Sequence, residues 1–160
     1  MKIFVTSNLQ LGRPAAIKQY KRSYTDVDQM TDDLILKWNE TVKAEDTVFY
    51  LGNFAHDPKT AQDALQRLNG NIKFIEGDYD SSISLLHDKG MLPTRCSILR
   101  CVDKIEGFNV AVSYWPLGAW PEKAKKAWSI IGYPNKKYKS DPKKRIINVS
   151  TDLWQIDHKS

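Results

Sequence analysis

Thr47-Val48-Phe49-Tyr50-Leu51-Gly52-Asn53-Phe54-Ala55 decides the fold. Five apolar and β-favouring residues in a row read as a buried strand, and Gly52-Asn53 ends it in a turn. Upstream, Val27, Met30, Leu34, Trp38 and Val42 recur every three or four residues, which predicts one helix with Thr25 or Asp26 at its start. Downstream, Asp57-Pro58 is a helix-start signal, Ala61, Ala64, Leu65 and Leu68 supply the buried face, and Asn69-Gly70 stops it.

The same alternation extends in both directions. Ile3-Phe4-Val5-Thr6 reads as a strand running into the polar turn Ser7 to Arg13, and Ile72 to Ile75 as a strand closed by Gly77. A short helix is expected over 81–89. After Pro93 the pattern turns to strands near 95–102, 108–113 and 146–150, with a loop-rich stretch over 117–145. No repeat or linker divides the chain, so 1–160 is expected to be one α/β domain. Each of the first three strands ends in a Gly-containing or polar turn, where layered α/β proteins build their sites.

The chain has 160 residues, 41% hydrophobic and 27% charged, which suits a globular domain with its own core. No apolar run approaches the roughly 20 residues of a membrane span. The start of the chain lacks the apolar core and cleavage site of a signal peptide, so a cytoplasmic location is expected. Cys96 and Cys101 match no zinc spacing and read as buried or half-buried thiols. The net charge is +5, and Lys136, Lys137, Lys139, Lys143, Lys144 and Arg145, set against Asp141, carry all of it. Such a basic segment is either a solvated loop or an electrostatic contact for nucleic acid or an acidic protein face, and Tyr138 among the lysines could stack on a base.

Six short blocks at the strand ends run in order: Ser7-Asn8-Leu9-Gln10-Leu11-Gly12-Arg13, Gly52-Asn53-Phe54-Ala55, Gly77-Asp78-Tyr79-Asp80, Ser113-Tyr114-Trp115-Pro116, Ile131-Gly132-Tyr133-Pro134-Asn135 and Asn148-Val149-Ser150-Thr151-Asp152. Their order and spacing resemble the motifs SDxHxGH, GDxA, GNHD, SHxP, HGHxH and NVGxD of small bacterial and phage calcineurin-like metallophosphoesterases. The resemblance spans nearly the whole chain. It implies an αββα four-layer sandwich, two mixed β-sheets flanked by helices, and a phage or bacterial source, with the host cytoplasm as location if phage-encoded.

In that family two metal ions, bridged by an Asp and held by Asp, Asn and His, activate the attacking water. Here Asn8 and Gln10 stand in the first Asp and His slots, Asn53 in that of the bridging Asp, and Asp78 in that of the ligand Asn. Tyr79 stands for the His that helps protonate the leaving group, and Tyr114, Ile131 and Tyr133 for the later His ligands. Amides supply no charge, a phenol with a pKa near 10 is no ready ligand, and Ile131 cannot bind a metal. Removing the carboxylates also removes their mutual repulsion in a metal-free interior.

The expectation is therefore a pseudoenzyme that needs no cofactor and no metal and acts by binding, above all to a protein partner. The alternatives are a weak phosphoesterase using one metal through Asp78, Asn8 and Asn53, and a nucleic-acid-binding module using 136–145. The polar residues of the old slots are expected to plug the cavity with hydrogen bonds, or else to line a metal-free ligand pocket. Arg13, in a slot usually held by His, or a nearby lysine is expected to pair with Asp78 in place of the lost cations. His56 follows the second turn and could face the site, whereas His87 and His158 read as surface residues. Of Trp115, Trp120, Trp128 and Trp154, any two exposed together would mark an interface.

Overall fold

The computed structural model describes residues 1–78, 80–100, 102–120 and 126–153. Strands β1 (Ile3–Thr6), β2 (Thr47–Leu51), β3 (Asn71–Ile75) and β4 (Cys96–Ile98) form one four-stranded sheet in that order. All three of its pairings are parallel. Parallel neighbours need crossovers, and the helices supply them: α1 (Ala15–Gln19) and α2 (Val27–Thr41) before β2, α3 (Pro58–Arg67) before β3, and α4 (Ser81–Asp88) before β4. Asp26 caps α2 by accepting from the Gln29 N–H, and Asp57 caps α3 by accepting from that of Thr60, with Pro58 at the first helical position.

The strands bury both faces. Val48, Tyr50, Ile72 and Phe74 pack against Met30, Leu34, Trp38, Ala61, Leu65 and Ile83 of the helices. The alternate residues Phe49, Leu51 and Ile75 point the other way, onto Val110, Val112 and Ile130 of a second sheet. That sheet runs β5 (Lys104–Ile105), β6 (Phe108–Ser113), β7 (Trp128–Ile131), β8 (Ile146–Asn148). The β5–β6 pair is antiparallel and the other two pairs are parallel.

The molecule is thus an α/β structure with two four-stranded sheets and helices. The first sheet is wholly parallel, not mixed as expected, because every connection in it is a helical crossover. The expectation of helices on both outer faces is met on one side. Among the described residues, the outer face of the second sheet is covered by Leu117 and Trp120, packed on Ala111, Ala127 and Ile146.

The strand expected over 95–102 is confined to Cys96–Ile98, paired with residues 72–74, and that over 146–150 to Ile146–Asn148, paired with residues 129–131. The stretch 117–145 is not all loop: it holds β7, followed by 3₁₀ turns at Lys136–Tyr138 and Pro142–Lys144. Cys96 is a buried free thiol, and Cys101 lies outside the described residues. Among the described residues no helix is long and apolar enough to cross a membrane.

Candidate functional site

Parallel strands put their carboxyl ends on one edge. A parallel bridge between Ser7 and Ser150 ties the edge of the first sheet to that of the second. The Ser7 carbonyl accepts from the Thr151 N–H at 3.1 Å and from the Thr151 hydroxyl at 2.8 Å. The turns after β1, β2, β3, β6, β7 and β8 therefore meet, and these are the six blocks singled out in the sequence.

Their side chains form a closed hydrogen-bond network. Asn8 Oδ1 accepts from Gln10 Nε2 at 2.7 Å and Asn53 Nδ2 at 3.1 Å. Asn53 Nδ2 also donates to the Tyr114 oxygen at 2.9 Å, and the Tyr114 hydroxyl donates to Asp78 Oδ2 at 3.1 Å. Gln10 Nε2 reaches Tyr20 Oη at 3.1 Å. Asn8, Gln10, Asn53 and Tyr114 are all at most 2% exposed. Burial pushes the Tyr114 hydroxyl well above the ordinary phenol range, which keeps it a donor.

The backbone is shaped for this. Asn8, Gln10 and Asn53 are left-handed, with φ of 63°, 55° and 61°. Asn tolerates that region better than other side chains, whereas Gln10 pays about 1 kcal/mol there. The Tyr114 ring lies against the backbone of Gly52, whose φ is 91°, and a Cβ there would collide with it. Buried Tyr50 braces the same loops, accepting from the Leu9 N–H at 2.7 Å and donating to the Asn53 carbonyl at 3.0 Å. Asp80 accepts from the N–H groups of Asn53, Phe54 and Gly77, and burial nonetheless raises its pKa above the usual carboxylate range.

The buried ion pair of the site is one that the sequence did not announce. Arg22 bonds Asp152 through both carboxylate oxygens, Nε to Oδ1 at 2.8 Å and Nη2 to Oδ2 at 2.9 Å. The Arg22 side chain is fully buried and that of Asp152 is 6% exposed. Arg22 also donates to the carbonyls of Asn8 and Leu9, both at 2.6 Å, and Asn8 Nδ2 donates to Asp152 Oδ2 at 2.6 Å. A cation, Arg22, thus occupies the site's underside. Arg13 Nη1 donates to Gln10 Oε1 and Gln19 Oε1, both at 2.8 Å. Arg13, Asp78 and His56 share a cleft of about 90 Å³ above the network.

Tyr133 and Ile131 stand apart from the network. Tyr133 stacks edge-on with Tyr114 at 5.6 Å and Tyr138 at 5.6 Å, and lies 5.4 Å from Trp115, so an aromatic ladder runs from the network to the basic segment. Ile131 is buried in β7. Tyr79 lies outside the described residues, as do Trp154 and His158. Trp115 is exposed, Trp120 is buried and Trp128 is half-buried, so two exposed tryptophans do not come together among the described residues. Lys136, Lys137, Lys139, Lys143 and Lys144 are exposed, and Arg145 is half-buried with a left-handed φ of 56°.

The donor set does not fit the metal pair that the resemblance implies. Its carboxamide oxygen at Asn8 already accepts two N–H bonds, and Ile131 offers no donor atom. Among the described residues no three His, Cys, Asp or Glu side chains gather.

No protein-family model matches the chain. An uncharacterized protein of Methanocaldococcus jannaschii is 34% identical over 82 residues, which is 49% of this chain and 47% of that protein, so the match spans about half the relative's length. A protein of unknown function from Aquifex aeolicus has a solved structure that superposes with a TM-score of 0.68, covering 95% of this chain and 91% of that one at 15% identity. The likeness at that identity is one of fold.

Proposed function

We propose that this chain is a metallophosphoesterase-like αββα protein whose metal site has become an internal hydrogen-bond network, and that it acts by binding a protein partner instead of by hydrolysis. The observation that carries the reading is the Asn8 side chain. Its oxygen accepts from Gln10 and Asn53 and its nitrogen donates to Asp152, so the group in the first metal-ligand slot is committed to protein atoms. The convergence of all six sequence blocks on one edge supports the family resemblance. Exposed Trp115, stacked on Tyr114 and Tyr133 at the rim of that edge, is the anchor that a partner would cover.

Purified protein is assayed with manganese and a generic phosphodiester, beside an Asp78→Ala control. The expected outcome is no turnover above buffer for either protein and no manganese-dependent rise in melting temperature, since binding to the native state alone would raise it. Turnover that tracks the protein and vanishes in the control would overturn the reading. Affinity capture from the native host with wild type and Trp115→Ala tests the partner: a protein held by the first and lost by the second is expected, and identical captures would reject the Trp115 surface.

A further inference from the structure

The largest charge imbalance of the chain lies beside its aromatic ladder. Lys136, Lys137, Lys139, Lys143, Lys144 and Arg145 carry a net +5 once Asp141 is set against them. Among the described residues Lys144 pairs with Asp141 at 3.5 Å, whereas Lys136, Lys137 and Lys139 are exposed and pair with no carboxylate. Unpaired surface charge of one sign attracts a partner of the other and steers its approach.

The ladder connects these lysines to Trp115. That ring packs edge-on against Tyr114, with centres 5.0 Å apart, and lies at 31° to Tyr133 at 5.4 Å, yet Trp115 is 49% exposed. Tyr133 and Tyr138 are half-buried, and the Lys137 ammonium stands 5.7 Å from the centre of the Tyr138 ring. Phe108, at the turn between β5 and β6, is more exposed than Trp115 but stacks on no ring among the described residues.

The ladder is held from its backbone. Buried Asn148 donates through Nδ2 to the carbonyls of Tyr133 and Tyr138, both at 2.8 Å, and the Trp115 N–H donates to Ser113 Oγ at 3.1 Å. A tryptophan packed in this way loses little side-chain freedom when a partner covers it, which suits it to be an anchor. Pro116 and Leu117 follow it in the chain and line a cleft of about 430 Å³, together with Tyr138, Ile146, Lys137 and Lys139. Apolar surface and positive charge thus run on together from the exposed ring.

Resting on the reading that Trp115 anchors a protein partner, we propose that what it binds is an acidic segment of another protein. One apolar residue of the segment lies on the Trp115 ring, and its carboxylates face Lys136, Lys137 and Lys139. A second copy of this chain would bring the same lysines against these, so like charges oppose a homodimer through this face. A single-stranded nucleic acid needs successive open rings on which its bases stack. Here one ring is largely exposed, while Tyr133 has ring neighbours in Tyr114, Trp115 and Tyr138, which suits one anchor residue and not a run of bases.

The full-length protein is titrated at low salt against a fluorescently labelled peptide of Glu and Asp around a central Leu, read by polarisation. Controls are the same peptide with Ser for Leu, the same with Gln and Asn for the acids, and a single-stranded oligothymidylate. Saturable binding of the first peptide is expected, weaker by about tenfold for either altered peptide. Trp115→Ala and the triple variant Lys136→Gln/Lys137→Gln/Lys139→Gln should each weaken it by about tenfold, and the triple variant should also flatten its salt dependence. The three lysines are exposed and pair with no carboxylate, so the triple variant should melt with the wild type. No saturable binding of the acidic peptide, or equal affinity in the triple variant, overturns the acidic assignment and leaves a Trp115-dependent capture standing. Equal affinity in Trp115→Ala would reject the anchor itself. Tighter binding of oligothymidylate that Trp115→Ala abolishes, or a concentration-dependent dimer that it abolishes, would overturn the assignment in favour of nucleic acid or of a second copy.

Discussion

The strand-end network and the cleft lined by Leu117, Tyr138 and Ile146 both carry polar groups and are joined by the Tyr114–Tyr133–Tyr138 ladder. They differ in what their polar atoms do. In the first, Asn8, Gln10, Asn53, Tyr114 and Arg22 spend donors and acceptors on one another. In the second, Lys137, Lys139 and Lys144 face solvent. A satisfied buried network rigidifies a fold, whereas unmet groups beside a cavity leave room for an outside partner. The lesson is that polarity alone does not locate binding: in this chain the residues that look most like an active site are the most occupied by the protein itself.

The largest test removes the network's ion pair. Arg22→Ala leaves Asp152 buried and charged with one amide donor, and breaking such a pair costs about 3–5 kcal/mol. Arg22→Lys should recover only part of this, because one ammonium cannot bond both carboxylate oxygens and two carbonyls in the guanidinium's fixed geometry. Urea denaturation of the three proteins measures it. A loss below about 1 kcal/mol for Arg22→Ala, the size of an exposed pair, would mean that the underside of the site is open to water and the contrast with the cleft is lost.

Asn8→Asp comes next. It restores the carboxylate of the resembled family but sets it where Asn8 Nδ2 now donates to Asp152 at 2.6 Å, so a bond becomes a repulsion between two buried carboxylates. We expect a loss of about 2–3 kcal/mol at neutral pH. The sign with pH follows from linkage: the new carboxyl's folded pKa is raised above its unfolded value, so the penalty is full above that folded pKa and shrinks as pH falls through it. Manganese should not restore the lost stability. If it does, the pocket can still hold a metal and the network is a replaceable filling.

How much of this was legible follows from the range of the forces involved. The α2 stripe, the Asp57-Pro58 cap and the apolar runs of β1 to β3 are local patterns, and the structure has them within a residue or two. The site slots were legible because a parallel strand plus its turn fixes where the next side chain goes. β7 was not: Trp128–Ile131 is four residues, without a cap or a long alternation, and it is a strand because β6 and β8 flank it. Arg22 sits in Lys21-Arg22-Ser23, which reads as a solvated bend, and its burial is decided by Asp152, 130 residues away. Ser129 is a small residue in that same short strand, and only the packing of both sheets leaves its hydroxyl alone.

The smallest effect sharpens the contrast most, since it falls on two residues that the sequence treats alike. Tyr114 and Tyr133 both stand in slots where the resembled family has His, and their rings touch. Tyr114 bonds Asn53 and Asp78 through its hydroxyl, whereas the Tyr133 hydroxyl has no hydrogen-bond partner among the described residues. Tyr114→Phe therefore strips a buried amide and a carboxylate of a partner and should cost about 1–2 kcal/mol. Tyr133→Phe keeps the ring and the stacking and should stay within about 0.5 kcal/mol of wild type. Equal losses by thermal denaturation would show that the network extends along the ladder toward the basic segment, which would make the two regions one; unequal losses in this order keep the closed site and the open cleft as separate devices on one fold.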